Sequence, residues 1–312
     1  MHYLIGVDLG GTQLRAVLID RGGQIQRFAR TDTAAAAGPA AVIDQITTLI
    51  ATLLRDAGVT ADAISGIGVG VPGPVDPVAG IVRRAPNLAG WENVPLRAAL
   101  SERIGLPVVV GNDANVAALG EWRFGSGQGT QHFAYVTIST GIGGGVIAEG
   151  RLLLGRYGLA AEVGHMIIDP HGPRCGCGNY GCWEALASGT ALARAATQAV
   201  QHEPSLIREL AGSLPISGAH VAHAATHGDA LAQRLMQREG ELIGIGLVNL
   251  LHLYAPERIA LGGGVTKSWP LLEATVQQTI NTRAMPPYRD TPITLATLGD
   301  SVGVLGAAAL LL

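Results

Sequence analysis

Two stretches far apart in the chain open in the same way, and that repetition limits the folds available to it. Residues 3–7 read as a buried apolar strand, Asp8-Leu9-Gly10-Gly11-Thr12 as a loop and residues 14–19 as a second strand. A turn at Arg21-Gly22-Gly23 and a third strand over 24–30 follow. Residues 133–139 are again strand-like, followed by Thr140-Gly141-Ile142-Gly143-Gly144-Gly145, a strand over 146–149 and a turn at Gly150. The echo predicts a duplicated α/β unit with a cleft between the copies.

The rest of the chain fits that plan. Apolar residues at helical spacing predict helices over 39–57, 95–104, 112–124, 189–201, 204–210, 217–226, 230–254, 270–284 and 302–312. Further strands are expected over 64–71, 107–110, 257–261 and 293–296, with a loop from Asn87 to Trp91. No low-complexity linker separates the halves, so a hinge is expected near residues 111–115. This gives a small N-terminal α/β domain over 1–113, with a final helix at about 301–312 packing back on it, and a larger α/β domain over 114–300.

Composition excludes several classes. With 48% hydrophobic and 14% charged residues, the chain is a well-cored globular protein. Its net charge is −3 and its longest basic run is Arg83-Arg84, so no footprint for nucleic acid or an anionic membrane is present. The N-terminus lacks a basic region, and Asp8 interrupts its apolar run, unlike a signal peptide. No apolar stretch is expected to reach the ~18 residues of a membrane span.

All three cysteines, Cys175, Cys177 and Cys182, fall within eight residues and each neighbours a glycine. Three thiolates form an incomplete tetrahedron, and zinc takes a fourth nitrogen or sulfur ligand. His165 and His171 lie upstream, and spacing alone does not choose between them. The pattern points to a closed, structural Cys3His zinc site in a cytoplasmic protein, with a redox loop as the alternative. Glu162 and Glu184 flank this segment; they are either solvated carboxylates or groups held to recognise vicinal sugar hydroxyls.

Asp8-x-Gly10-Gly11-Thr12-x-x-Arg15 puts a carboxylate at a strand end before glycines and a hydroxyl. Such a loop can cradle phosphate through its N–H groups while the Asp helps to hold Mg²⁺. Thr140-Gly141-x-Gly143-Gly144 repeats it, and the two suggest a grip on a polyphosphate. Neither loop is a Walker A or Rossmann motif. Gly262-Gly263-Gly264 ends a late strand as a platform for an adenine base. Gly111-Asn112-Asp113-Ala114-Asn115 stands where a strand yields to a helix. Capping needs only one of these polar residues. Asp113 is therefore a candidate general base and Asn112 a candidate hydroxyl ligand. His220, His223 and His227 lie on a polar helix face and are given no role.

Together, residues 8–15, 111–115, 140–145, 162–165 and the CxCGxxGCxE pattern over 175–184 resemble the ROK family of sugar kinases and repressors along essentially the whole chain. The resemblance implies an actin/hexokinase-like (ribonuclease H-like) fold, two α/β domains closing over ATP, Mg²⁺ and a sugar. It implies Asp113 as the catalytic base, and Asn112, Glu162, His165 and Glu184 as sugar ligands, with Gly73 and Asn87 from the small domain. It implies that His165 is the zinc histidine, binding zinc through one ring nitrogen and a sugar hydroxyl through the other. Family repressors carry an added N-terminal helix-turn-helix, for which a first strand at Tyr3 leaves no room. The implied activity is glucose 6-phosphorylation. Fructokinase, N-acetylglucosamine kinase and N-acetylmannosamine kinase are the family alternatives, and a regulator lacking its own DNA-binding domain is the alternative of another class. Polyphosphate-using relatives tend to lack the cysteines, which favours ATP, and family members are commonly homodimers.

Overall fold

The computed structural model describes residues 2–312. Packing divides the chain into two units, one running to Gln131 and including 145–161 and 296–312, the other comprising 132–144 and 162–295.

In the first unit, β1 (Tyr3–Leu9), β2 (Gln13–Ile19) and β3 (Ile25–Asp32) form an antiparallel meander that pairs Asp8 with Arg15. α1 (Gly38–Ala57) leads to β4 (Ile64–Val71), which lies parallel to β1. Three short strands, β5 (Val75–Asp76), β6 (Ile81–Arg84) and β7 (Glu92–Val94), make a small antiparallel sheet that the sequence does not foresee, with the expected loop at Asn87–Trp91 lying between β6 and β7. Strands of two to four residues are too short to show alternation. α2 (Leu96–Ile104), β8 (Val108–Asn112) and α3 (Asp113–Phe124) follow, and the main sheet has the order β3-β2-β1-β4-β8.

The second five-stranded sheet repeats that order. It contains β9 (Phe133–Ile138), β10 (Ile142–Ala148) and β11 (Arg151–Leu152), and runs β11-β10-β9-β12-β13 with β12 (Arg258–Gly262) and β13 (Ile293–Leu295). Third, second and first strands of a meander, then two later parallel strands, occur in both sheets, as the sequence echo implies. β10 begins at Ile142, so Gly143, Gly144 and Gly145 belong to a strand and not to the loop expected there. Close packing explains the glycines: a methyl group at 144 would lie 2.6 Å from the Tyr135 carbonyl oxygen. α4 (Trp183–Ala187), α5 (Gly189–Ala199), α6 (Leu206–Ala211), α7 (Gly218–Thr226), α8 (Ala230–Tyr254) and α9 (Trp269–Arg283) complete the second unit.

The last helix, α10 (Val302–Ala309), packs on β1, β4 and α3. A methyl group at Gly6 would fall 1.9 Å from the Val304 carbonyl oxygen, and one at Gly68 1.7 Å from that of Ala307. Helix and sheet thus meet backbone to backbone. Because α3 also packs on α10, the first unit extends to Gln131, beyond the expected break after residue 113.

Residues 35–57 are 23 residues long and apolar enough to cross a bilayer by length and composition, which corrects the expectation that no segment is. Their apolar face, Val42, Ile43, Ile46, Leu49, Ile50 and Leu53, is nevertheless buried in the core of the first unit. The polar Asp44 and Gln45 interrupt the run.

One core position is unusual. Glu239 on α8 is 2% exposed, its Oε1 has no hydrogen-bond partner, and burial pushes its pKa up to about 8. The folded state therefore keeps a proton that the unfolded chain releases in the ordinary carboxylate range. Glu239's contribution to stability is full below that range and declines as pH rises towards about 8. Thermal unfolding from pH 5 to pH 8 should show the stability gap between Glu239→Gln and the parent widening with pH. A gap independent of pH would contradict this assignment.

Candidate functional site

In the first unit, Gly10, Gly11 and Thr12 form the turn between β1 and β2, closed by the Gly10 N–H donating to the Gln13 carbonyl at 2.9 Å. Thr33 steadies the turn by donating its hydroxyl to the Gly10 carbonyl at 2.8 Å. Asp8 ends β1 beside it. Burial raises its pKa above the ordinary value, with the Arg15 guanidinium opposing that rise. The carboxylate lies over the first turn of α10, where a methyl group at Gly303 would come 2.7 Å from Asp8 Oδ2. Arg15 donates to Gln13 Oε1 at 2.9 and 3.2 Å and to the Asp300 carbonyl at 3.2 Å. Gly11 packs against Asn87, whose Cβ lies 2.9 Å from where a methyl group would stand, so the loop and a proposed sugar ligand are neighbours.

The β8–α3 junction holds the expected base. Asn112 is the N-cap of α3, its Oδ1 accepting from the N–H groups of Ala114 and Asn115 at 3.0 and 3.2 Å. Its Nδ2 donates to the Gly73 carbonyl and to Asp113 Oδ1, both at 3.0 Å. Both acceptor sites and both donors of the amide are thus engaged within the protein. Asn112 thus orients Asp113 in this arrangement. Asp113 is exposed at the first helical position, and its Oδ1 also accepts from the Ala114 N–H at 2.8 Å. Helix-end N–H groups favour its anionic form.

In the second unit, the thiol segment folds as a compact knuckle. The Cys175 N–H donates to the Asn179 carbonyl at 2.7 Å, and Gly178 and Gly181 supply left-handed turns. Bridges Ile167–Cys182 and Arg174–Tyr180 close it. One ligand atom from each of His165, Cys175, Cys177 and Cys182 lies within 4.8 Å of all the others. Cys175 Sγ is 3.7 Å from His165 Nδ1, and Cys177 Sγ is 3.7 Å from Cys182 Sγ. A tetrahedral zinc with bonds of about 2.3 Å places its sulfurs ~3.8 Å apart, so the cluster has the dimensions of a closed site. His171 is not part of it; its N–H donates to Asp169 Oδ1 at 2.9 Å. Burial pushes the Cys182 thiol up to about 12 and raises that of Cys175, so a cation is needed to hold these sulfurs as thiolates.

Glu184 joins the knuckle to the glycine loop. Its Oε2 accepts from the Ile142 N–H at 3.0 Å and its Oε1 lies 3.8 Å from Cys175 Sγ. Only glycine at 141 permits this, since a methyl group there would sit 2.3 Å from Glu184 Oε2. Glu162 and His165 are both exposed on the turn before the knuckle, with the His165 N–H donating to the Glu162 carbonyl at 3.0 Å. Trp183 anchors the knuckle in the core, donating from Nε1 to the Leu242 carbonyl of α8 at 3.0 Å.

Beside the glycine loop lies a cavity of about 530 Å³, lined by Ser139, Thr140, Gly189, Thr190, Met236, Gly264 and others. Thr140 and Gly264 were expected at a nucleotide; the Ser217–Gly218 start of α7, the start of α5 and Lys267 were not. Their signal was present, since Ser188-Gly189 and Ser217-Gly218 are N-cap patterns, but the pattern marks helix starts and not what they border. Lys267 is the only charged residue lining this cavity and the chain's only lysine. Gly263, the residue before Gly264, has a positive φ, and Gly143 lies in β10. His220, given no role from sequence, accepts from the Ser217 N–H and completes a capping box.

Metal analysis should find a single zinc ion per chain, released on thiol titration. Cys182→Ser should lose it and lower the thermal midpoint; metal-free, stably folded parent protein would contradict the closed site.

The chain's residues 4–312 match the ROK family model. It is 37% identical to a glucokinase from Thermotoga maritima, covering 99% of this chain and 96% of that one. It is similar to the crystal structure of a ROK family glucokinase from Streptomyces griseus in complex with glucose and AMPPNP, with TM-score 0.80 and 36% identity over 99% of this chain and 98% of that one. It is also 30% identical to a xylose repressor from Caldicellulosiruptor bescii, spanning 99% of this chain and 78% of the repressor. With the actin/hexokinase-like sheet order and the Cys3His cluster both in place, the chain belongs to the ROK family.

Proposed function

We propose that this protein is a glucokinase, transferring the γ-phosphate of ATP to the 6-hydroxyl of glucose. The observation that carries the reading is Asp113, an exposed carboxylate fixed at a helix start by the Asn112 amide and the Ala114 N–H. The glucokinase relatives and the glucose–AMPPNP complex supply the substrate class.

Asp113 takes the proton of the 6-hydroxyl as that oxygen bonds to the γ-phosphorus. The bond from the γ-phosphorus to the β–γ bridging oxygen breaks, and ADP leaves. Positioning contributes most of the acceleration in such a transfer. In the first unit Gly10–Thr12 is the proposed phosphate loop, braced by Arg15; in the second unit Thr140–Gly141 is its counterpart. The adenine lies in the cavity bordered by Gly264, with Gly263 preceding it in the chain. Asp8 would hold Mg²⁺, which would supply neutralisation of the phosphate charge. The proposed sugar ligands are Gly73, Asn87 and Asn112 in the first unit and Glu162, His165 and Glu184 in the second, where a zinc held by the thiols would keep the His165 ring oriented. A sugar-sensing regulator is the second reading, favoured by the xylose repressor relative; the pair Asp8 and Asp113 favours the kinase. A cytoplasmic homodimer is proposed on the thiol chemistry and the family resemblance.

Release of ADP should be followed with ATP-Mg²⁺ and glucose, fructose, mannose, N-acetylglucosamine or N-acetylmannosamine. Turnover should be highest on glucose, and Asp113→Asn should lower kcat by about 10²- to 10⁴-fold while glucose binding persists. No turnover on any sugar by folded, zinc-loaded protein would move it to the sensor class. Gly141→Ala pushes a methyl group into Glu184, and should raise the KM for ATP about tenfold or lower kcat comparably. Unchanged ATP kinetics would remove Glu184 from its place behind the loop.

A further inference from the structure

One buried carboxylate in the first unit has no part in the chemistry above. Glu121, eight residues after Asp113 on α3, is completely buried. Its Oε2 accepts from Ser126 N–H at 2.9 Å, Ser126 Oγ at 2.8 Å, Thr297 N–H at 3.2 Å and Thr297 Oγ1 at 3.3 Å. Its Oε1 accepts from Leu298 N–H at 2.8 Å. All five donors are neutral groups. A carboxylate presents two acceptor oxygens to these donors, some of which share a lone pair, whereas a carboxamide offers one acceptor oxygen and adds two donors of its own. Gly125 leaves the space this needs, because a methyl group there would lie 2.3 Å from Glu121 Oε2.

The residues it holds matter more than their number. The chain re-enters the first unit at Ala296, and Thr297 and Leu298 are the next two residues. A short 3-10 turn, Gly299–Ser301, then leads into α10. In that turn the Asp300 carbonyl accepts from Arg15, and in the first helical turn Gly303 lies against the Asp8 carboxylate. Further along, α3 and α10 cross at Gly120 and Gly306, where methyl groups would lie 2.9 Å from the Gly306 nitrogen and 1.9 Å from the Val116 carbonyl oxygen, respectively. α10 is therefore fixed along its length by glycine contacts with α3 and the sheet, and at its entry by Glu121.

We infer that Glu121 is a positioning residue: it fastens the start of α10 to the helix that carries Asp113, and thereby sets where Asp8 meets the metal–nucleotide. The inference rests on the kinase reading for the roles of Asp8 and Asp113. The geometry of the latch stands independently of that reading. A buried carboxylate held by a set of hydrogen bonds is costly to replace and favours one placement of the segment that donates them.

The test compares the parent enzyme with Glu121→Gln and with the milder pair Ser126→Ala/Thr297→Val, which removes two hydroxyl donors and keeps the carboxylate. Leu247→Ala, a core substitution in the other unit, controls for lost stability alone. Amide hydrogen exchange at Gly303–Leu305 should speed up in the Glu121 variant and not in the control. At saturating glucose, the Mg²⁺ concentration giving half-maximal rate should rise about 10- to 100-fold, with the KM for glucose unchanged. Calorimetry with Mg²⁺-AMPPNP should show the same weakening without turnover. If Glu121→Gln does not fold, the double variant should shift both readouts the same way by a smaller factor. Faster exchange with unchanged Mg²⁺ dependence and nucleotide affinity would make Glu121 merely structural and overturn the inference. Unchanged exchange would also overturn it. Absence of sugar-dependent turnover in the parent would instead defeat the kinase reading, while the exchange measurement still judges the latch.

Discussion

The first unit depends on α10 lying so close to the sheet that the two backbones touch at Gly6 and Gly68. Gly6 on β1 and Gly68 on β4 make this possible, since any larger residue would collide with the Val304 or Ala307 carbonyl. Packing this close leaves little freedom for sliding or rotation, because backbone atoms cannot change rotamer to relieve a misfit. The seat of α10 then dictates the rest. Its first turn faces Asp8, its middle meets α3, and α3 begins at Asp113.

The second unit reaches the same precision by another route. Its knuckle is short of regular structure and has few apolar residues of its own, so a metal is the natural means of holding it together. Trp183 extends from the knuckle into the core against α8. Glu184, the next residue, turns back to the glycine loop and binds the Ile142 N–H. Two consecutive residues therefore link thiol cluster, core and loop. Zinc in such a place acts through the position of neighbouring groups, because a closed Cys3His set leaves no coordination position for substrate.

The two polar junctions show what the fold adds to residue type. Asn112 and Glu184 are both proposed sugar ligands. The fold gives each a set of backbone donors or acceptors first: Asn112 caps α3 and holds Asp113, and Glu184 braces the loop. Glu121 carries no motif at all, and its importance comes from Thr297 and Leu298, 176 and 177 positions away.

Much was nevertheless legible in the sequence. The duplicated strand–loop–strand pattern determined the two sheets, because alternation and glycine turns are local properties. The cysteine spacing determined the metal ligands except for the histidine, because short loops leave thiols few places to go. Helix existence followed from apolar periodicity with shifted ends, except for α4, whose five residues are too few to show it. What the tertiary structure alone decided is contact between distant segments: Gly143–Gly145 as strand, the β5-β6-β7 sheet, α3 within the first unit, and the cavity bordered by α5 and α7. Local patterns specify which conformations are favourable, whereas the partner of a buried polar group is set by the meeting of segments whose approach only the folded backbone defines.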